Sequence, residues 1–181
     1  MDAQPTLETV RLWLRPFRPA DAPAVQRMAG DRAIAESTAN VPHPYPDGAA
    51  EQWIASHPAM WTEGKGATWA IVRKEDDAVA GAIGLRLVTD NRYAELGYWV
   101  GREWWSNGYA SESAAELVRF AFETLGLNRV MARHFRSNPA SGRVMQKIGM
   151  IKEGTLRQHF LKWGRFEDLV CYGILAGDPR P

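Results

Sequence analysis

A chain of 181 residues, 45% apolar and 24% charged, has the make-up of one globular domain with a sizeable core and not of a disordered segment. Its formal net charge of +1 gives no general pull toward nucleic acid or acidic membranes. A lone cysteine, Cys171, excludes an intramolecular disulfide and a multi-cysteine zinc site, and its apolar setting, LVCYGIL, marks a structural thiol rather than a nucleophile.

In chain order, Met1 to Thr9 carries acids and a proline where a signal peptide would be basic and then apolar, and no later run approaches a membrane span; a cytoplasmic protein is expected. Thr9 to Pro16 alternates Val10, Leu12 and Leu14 against Arg11, Trp13 and Arg15, a half-buried strand. Asp21 reads as the N-cap of a helix over Ala22 to Ala29. Gly30 to Asp47 reads as irregular, its alternating prolines around His43-Pro44-Tyr45-Pro46 forbidding a helix; it is a connector or a wall facing substrate. A second helix runs from Asp47 to about Trp61, with Pro58 predicting a kink or an early stop. Strands follow at Thr68 to Lys74 and Val79 to Leu87, where Gly81 and Gly84 predict a bulge or the close approach of another backbone.

The next strand, Ala94 to Val100, enters a polar elbow and then a long amphipathic helix ending near Gly126. Beyond it come a strand over Arg129 to Phe135, a short helix from Asn138 to Ile148 stopped by Gly149, and strands over Met150 to Phe160 and Glu167 to Leu175 with a hairpin at Leu161 to Arg165. Gly177 to Pro181 reads as frayed. With no repeat, linker or low-complexity tract, the order predicts a single domain over 1–181, α/β or α+β, built on one mixed, mostly antiparallel sheet flanked by helices.

The elbow, Trp105-Ser106-Asn107-Gly108-Tyr109-Ala110, is the stretch the rest is organised around. Strand, tight turn and helix start together present backbone N–H groups with no helical partner, at the positive end of a helix dipole. Gly108 and Ala110 are small enough to let a pyrophosphate approach. A Walker Gly-Lys-Ser/Thr and a Rossmann glycine triplet are both missing, which disfavours nucleotide hydrolysis and dinucleotide binding. An ordinary helix start with a left-handed glycine would also satisfy the pattern.

The same loop resembles motif A of the acetyl-CoA-dependent N-acetyltransferase superfamily (GNAT), R/Q-x-x-G-x-G/A, with Trp105, Gly108 and Ala110 at its anchor positions. Tryptophan at the first anchor is similar to the branch of bacterial ribosomal-protein N-terminal (RimJ/RimL-type) acetyltransferases, whose loop reads Y-W-G-x-G-Y-A-T-E-A. Trp105, Gly108, Tyr109, Ala110 and Glu112 agree, while Ser106 and Ser113 replace a glycine and an alanine. Asn138-Pro-Ala-Ser141 followed by Gly149-Met150 resembles the branch's N-x-x-S…G-F, with Met150 for phenylalanine. TVRLWLRPFRPAD, AELGYWV and EGTLRQHFLKWGRFED extend the likeness over nearly the whole chain.

The resemblance implies acetyl-CoA as cosubstrate, with no metal. Backbone groups of Trp105, Ser106, Asn107, Gly108, Tyr109 and Ala110 would hold the pyrophosphate. Val100 would pair with the pantetheine arm as if it were an added strand, and an N–H of the Tyr98-Trp99-Val100 segment would serve as oxyanion donor. Asn138 matches a pantetheine contact and Ser141 a position beside the thioester sulfur. The reaction implied is direct acyl transfer to a primary amine. An α-amine of pKa about 8 is roughly one-tenth neutral at pH 7, so it asks far less of a base than lysine.

Glu95 is the candidate base; strand parity sets Glu95, Gly97 and Trp99 on one face and Leu96, Tyr98 and Val100 on the other. A salt bridge to Arg92 or Arg133 would equally explain an acid in an apolar strand. Ser141 is the candidate for protonating or stabilising the thiolate, since the tyrosine that many relatives carry is replaced by Met145; a helix-capping hydroxyl is the other reading. His43, His57, His134 and His159 have no metal-ligand spacing. Arg157, Gln158 and His159 are candidate acceptor contacts on a hairpin that borders the family's acceptor cleft. The acceptor expected is a protein N-terminal α-amine, with two rivals: a small-molecule amine, or a module that binds acyl-CoA without catalysis. Exposed tryptophans could serve a cleft or a homodimer.

Overall fold

The computed structural model describes residues 3–180. Met1 and Asp2 of the leader reading, and Pro181 of the frayed end, lie outside the described residues. Strands β1 (Leu7–Glu8), β2 (Leu12–Pro16), β3 (Gly66–Arg73), β4 (Val79–Val88), β5 (Tyr93–Val100), β6 (Arg129–Phe135), β7 (Ile151–Lys162) and β8 (Arg165–Leu175) form one sheet in the order β1-β2-β3-β4-β5-β6-β8-β7. Neighbours are antiparallel except β5 and β6. Helices α1 (Ala22–Ala29), α2 (Arg32–Ser37), α3 (Ala49–Thr62), α4 (Tyr109–Glu123) and α5 (Pro139–Lys147) complete the domain. A mixed, mostly antiparallel sheet with flanking helices is what the order of elements predicts.

Alternation along the strands decides which helix each face receives. Leu12, Leu14, Trp69, Ile71, Leu96 and Val100 pack with Leu117 and Phe120 of α4 and Met145 of α5. Ala70, Val72 and Val79 meet Met28 of α1 on the other face, where α1 and α3 also pack on each other through Val25 and Ile54. Each fully buried aliphatic side chain of this kind contributes roughly 1.5–3 kcal/mol. The β5 parity holds: Tyr98 packs with the α4 side and Trp99 with the α1–α3 side.

Several local expectations are corrected. Asp21 holds the N-cap position of α1 as expected, but its side chain makes no capping bond there; the carboxylate accepts from Arg15 (2.7 and 2.9 Å) and from the Arg18 N–H (2.7 Å), closing the 3-10 turn Pro19–Asp21 instead. The stretch read as wholly irregular contains α2, whose start is fixed by the Asp31 carboxylate accepting from the Ala33 N–H at 2.8 Å. α3 begins at Ala49, after Gly48 at φ +76°, and runs four residues past Pro58, which lies on its exposed side. The stretch 177–180 is held and not loose: Asp178 accepts from the Leu175 N–H and the Arg180 guanidinium lies 5.3 Å from the Phe122 ring centre. Gly81 and Gly84 do sit where backbones crowd, since a Cβ there would stand 2.2 Å from the Trp99 carbonyl and 2.7 Å from that of Ala67.

His57 is the least comfortable buried group. Its ring stands 4.4 Å edge-on from Trp53 and 5.5 Å from Phe17, and neither ring nitrogen finds a partner among the described residues. Burial pushes its pKa down to about 4. The unfolded chain, with an ordinary histidine near 6.5, therefore takes up the proton first as pH falls. The stability His57 contributes is present above pH 6.5 and is lost toward pH 4, by roughly 3 kcal/mol in full. Urea unfolding of the wild type and His57→Leu at pH 7 and 4.5 checks this: the wild type is expected to lose about 2 kcal/mol more than the variant over that interval.

Candidate active site

The parallel pairing of β5 and β6 stops at Leu96 and Ala132, and the strands part beyond it. A cleft of about 1340 Å³ opens there, lined by β5 from Glu95 to Val100, by the elbow and by α5. The Gly101 N–H donates to the Ala80 carbonyl of β4 at 2.8 Å, so alternation turns the backbone groups of Tyr98 and Val100 to the opposite, cleft-side edge. This is an unpaired strand edge with side chains to either side, the arrangement an extended ligand arm needs.

At one end of that edge lies the elbow. A 3-10 turn (Arg102–Trp104) leads to Trp105, then to Ser106 at φ +65° and Gly108 at φ +81°, and α4 starts at Tyr109. Two left-handed residues so close together curl the backbone into a concavity of N–H groups. The first helical bond is from the Glu112 N–H to the Gly108 carbonyl, so the N–H groups of Tyr109, Ala110 and Ser111 precede the helical ladder. Asn107 braces the loop from within, its Nδ2 donating to the carbonyls of Trp104 (3.0 Å) and Trp105 (3.2 Å). The Trp105 indole donates to the Val100 carbonyl at 2.7 Å, tying elbow to strand. Trp104 also borders the cleft and lies against Arg73, whose guanidinium is 4.3 Å from its ring centre.

Glu112 would repel an anion at this helix start were it free. It accepts from the Thr9 hydroxyl (2.6 Å), the Arg11 N–H (2.8 Å) and Arg11 Nε (2.8 Å). Burial pushes its carboxyl up, but those hydrogen bonds and the Arg11 charge outweigh it and hold it below its ordinary range. Arg11, from the turn before β2, thus neutralises the carboxylate that stands at this helix start. The sequence gives no sign of it, because Arg11 and Glu112 lie 101 residues apart.

At the far end of the edge, the Tyr98 phenol reaches Ser141 at the start of α5, with 2.8 Å to Oγ and 3.0 Å to the carbonyl. Burial pushes the phenol up to about 12, partly opposed by the Ser141 hydrogen bond. Ser141 is therefore not merely a capping hydroxyl. Asn138 does the capping, its Oδ1 accepting from the Ser141 N–H at 3.4 Å while Nδ2 reaches the Ser37 carbonyl at 3.3 Å. Met145 is buried in the core. The phenol that does reach the start of α5 is that of Tyr98, through its bonds to Ser141.

Glu95 falls on the opposite face and is an ion-paired carboxylate. It accepts from Arg133 Nε (2.9 Å) and Nη2 (2.7 Å) and from Arg86 Nη2, whereas Arg92 turns away to the Gly126 carbonyl. Burial pushes Glu95 up, but the bonds from Arg86 and Arg133, then their charges, hold it below the ordinary carboxylate range. A carboxylate so stabilised takes up a proton poorly, which counts against the base role. Arg157, Gln158 and His159 stay exposed on the outer strand and do not line the cleft; Phe160 and Leu169 do. Among the described residues no group of three His, Cys, Asp or Glu side chains is placed to hold a metal.

A family model for the acetyltransferase (GNAT) domain matches residues 11–151. The chain belongs to the GNAT acetyltransferase family. GNAT enzymes use acetyl-CoA, and the elbow, strand edge and hydroxyl pair fit that cosubstrate. Among relatives, the chain is 34% identical over 177 residues to the uncharacterized N-acetyltransferase YoaA of Bacillus subtilis, covering 94% of this chain and 97% of that one. It is 29% identical over 86 residues to the [ribosomal protein uS5]-alanine N-acetyltransferase of Escherichia coli, 48% of this chain and 44% of that protein. Its fold matches that of Mycobacterium smegmatis RimJ in complex with CoA-disulfide with a TM-score of 0.85 at 23% identity, over 95% of this chain and 88% of that one. This GNAT chain is an N-acetyltransferase. No helix of the described residues is long and apolar enough to cross a membrane.

Proposed function

We propose that this enzyme transfers acetyl from acetyl-CoA to the α-amine of a protein or peptide N-terminus by direct attack in a ternary complex. The observation that carries the acceptor choice is Glu95, held as an anion between Arg86 and Arg133. With Glu95 held as a paired carboxylate and so a poor base, an amine already partly neutral at pH 7 is the better nucleophile, and an α-amine of pKa about 8 meets that need. The partial likeness to a ribosomal-protein alanine N-acetyltransferase supports the same acceptor.

In this reading the cosubstrate supplies an activated acyl group and a thiolate leaving group. N–H groups from Ser106 to Ser111 hold its pyrophosphate, and the Val100 edge with Asn138 aligns its arm. An N–H on the Tyr98–Val100 edge faces the carbonyl oxygen as charge grows there. The C–N bond forms as the C–S bond breaks; the amine's proton passes to water, and the Tyr98 and Ser141 hydroxyls hydrogen-bond the departing sulfur. A thiol pKa of about 8.5 makes that departure undemanding.

A small-molecule amine is the second reading, and one observation favours it. The β7–β8 hairpin tip closes over the α2–α3 loop, with Lys162 donating to the Thr38 carbonyl at 2.7 Å and Trp163 lying beside His43 and Arg32. Thiol release from acetyl-CoA across a panel of peptides and small amines tests the choice. Turnover with peptide N-termini is expected; turnover confined to small amines would overturn the peptide assignment.

A further inference from the structure

Arg86, Glu95 and Arg133 form a charged row across three strands at the point where the cleft opens. Register sets Arg86 opposite Glu95 and Glu95 opposite Met131, so Arg133, two residues on, shares their face. That face also carries Gly97 and Trp99. A Cβ at Gly97 would meet nothing within 4 Å, so the space beside the row is open. All three charged residues line the cleft.

Two guanidinium groups against one carboxylate leave one positive charge in excess. Glu95 is the only carboxylate paired with either arginine among the described residues. It uses Nη2 of Arg86 and Nε with Nη2 of Arg133, and among the described residues Nε and Nη1 of Arg86 and Nη1 of Arg133 remain as further donors. A cationic excess there disfavours a protonated amine and favours an anion close to it.

We infer that the acceptor carries a carboxylate next to the amine it presents, either an acidic side chain within the first residues of a peptide or the carboxylate of a free amino acid. This rests on the acyl-transfer reading above and deepens it. Acceptors matched in all but charge test it: peptides with Glu or Gln at the second position, and free amino acids against their amides, each followed by thiol release. The acidic member of at least one pair is expected to have a kcat/KM about five- to tenfold higher. The preference should shrink at about 0.5 M salt, where screening acts within a few ångströms. It should fall to about twofold or less in Arg86→Gln and persist in Arg86→Lys, which keeps the charge. Whichever pair discriminates identifies the source of the carboxylate.

Equal rates within both pairs, or a preference for the neutral member, would overturn the inference while leaving the acetyltransferase reading intact. Failure to turn over any amine in the panel would sink both.

Discussion

Gly108→Trp is expected to abolish coenzyme A binding, weakening Kd in calorimetry at least about a hundredfold, or about 2.7 kcal/mol. Gly108 is the last residue before α4 and has φ +81°. Its missing side chain would stand on the side where the nearest heavy atom is Arg11 Nη2, at 3.4 Å, so bulk there projects between the guanidinium and the curled backbone. Those backbone donors are the ones left unbonded by the helix, and main-chain groups cannot move out from under an indole as a flexible side chain could.

A control separates blockage from strain. Gly108→Ala adds only the left-handed penalty of roughly 1–2 kcal/mol, borne mostly by stability, with a methyl group too small to cover the loop. Its CoA affinity should remain within about tenfold of wild type. If Gly108→Trp stays folded and binds CoA as well as the wild type, the elbow holds no pyrophosphate and the proposed orientation of the acyl donor fails with it.

The elbow was legible because its determinants are local: a strand, small residues at fixed offsets and an amphipathic helix, all within one stretch. β5 and the start of α4 lie within a residue of where periodicity sets them, and so do the faces of Glu95 and Tyr98. What periodicity cannot give is partnership at long range. Tyr98 and Ser141 lie 43 residues apart, and only the meeting of β5 with the start of α5 makes them a pair. Glu95 was open between base and ion pair for the same reason: Arg133 was foreseeable, but Arg86 becomes a neighbour only through the β4–β5 register. The missed helix α2 is a different failure. At six residues it is too short to show a period, and Asp31 ahead of Ala33-Ile34-Ala35 was its one usable signal.

Tyr98→Phe is expected to lower kcat by about tenfold to a hundredfold while leaving CoA affinity within about threefold. The phenol sits where the cleft meets α5, and with its pKa pushed up to about 12 it stays protonated across the working range. Such a group gives up its proton too reluctantly for full transfer to a thiolate of pKa about 8.5, but it remains a hydrogen-bond donor to the departing sulfur. Its effect should therefore appear in kcat and scarcely in ground-state binding, because the sulfur becomes anionic only as the C–S bond breaks. The Ser141 hydroxyl touches the same oxygen, so the two are not independent. In a double-mutant cycle Ser141→Ala should cost much less in the Tyr98→Phe background than alone. The raised phenol also predicts that any alkaline fall in kcat below pH 10 belongs to another group and survives in Tyr98→Phe. Single-turnover rates equal to wild type would remove Tyr98 from the reaction and leave protonation of the thiolate to water alone.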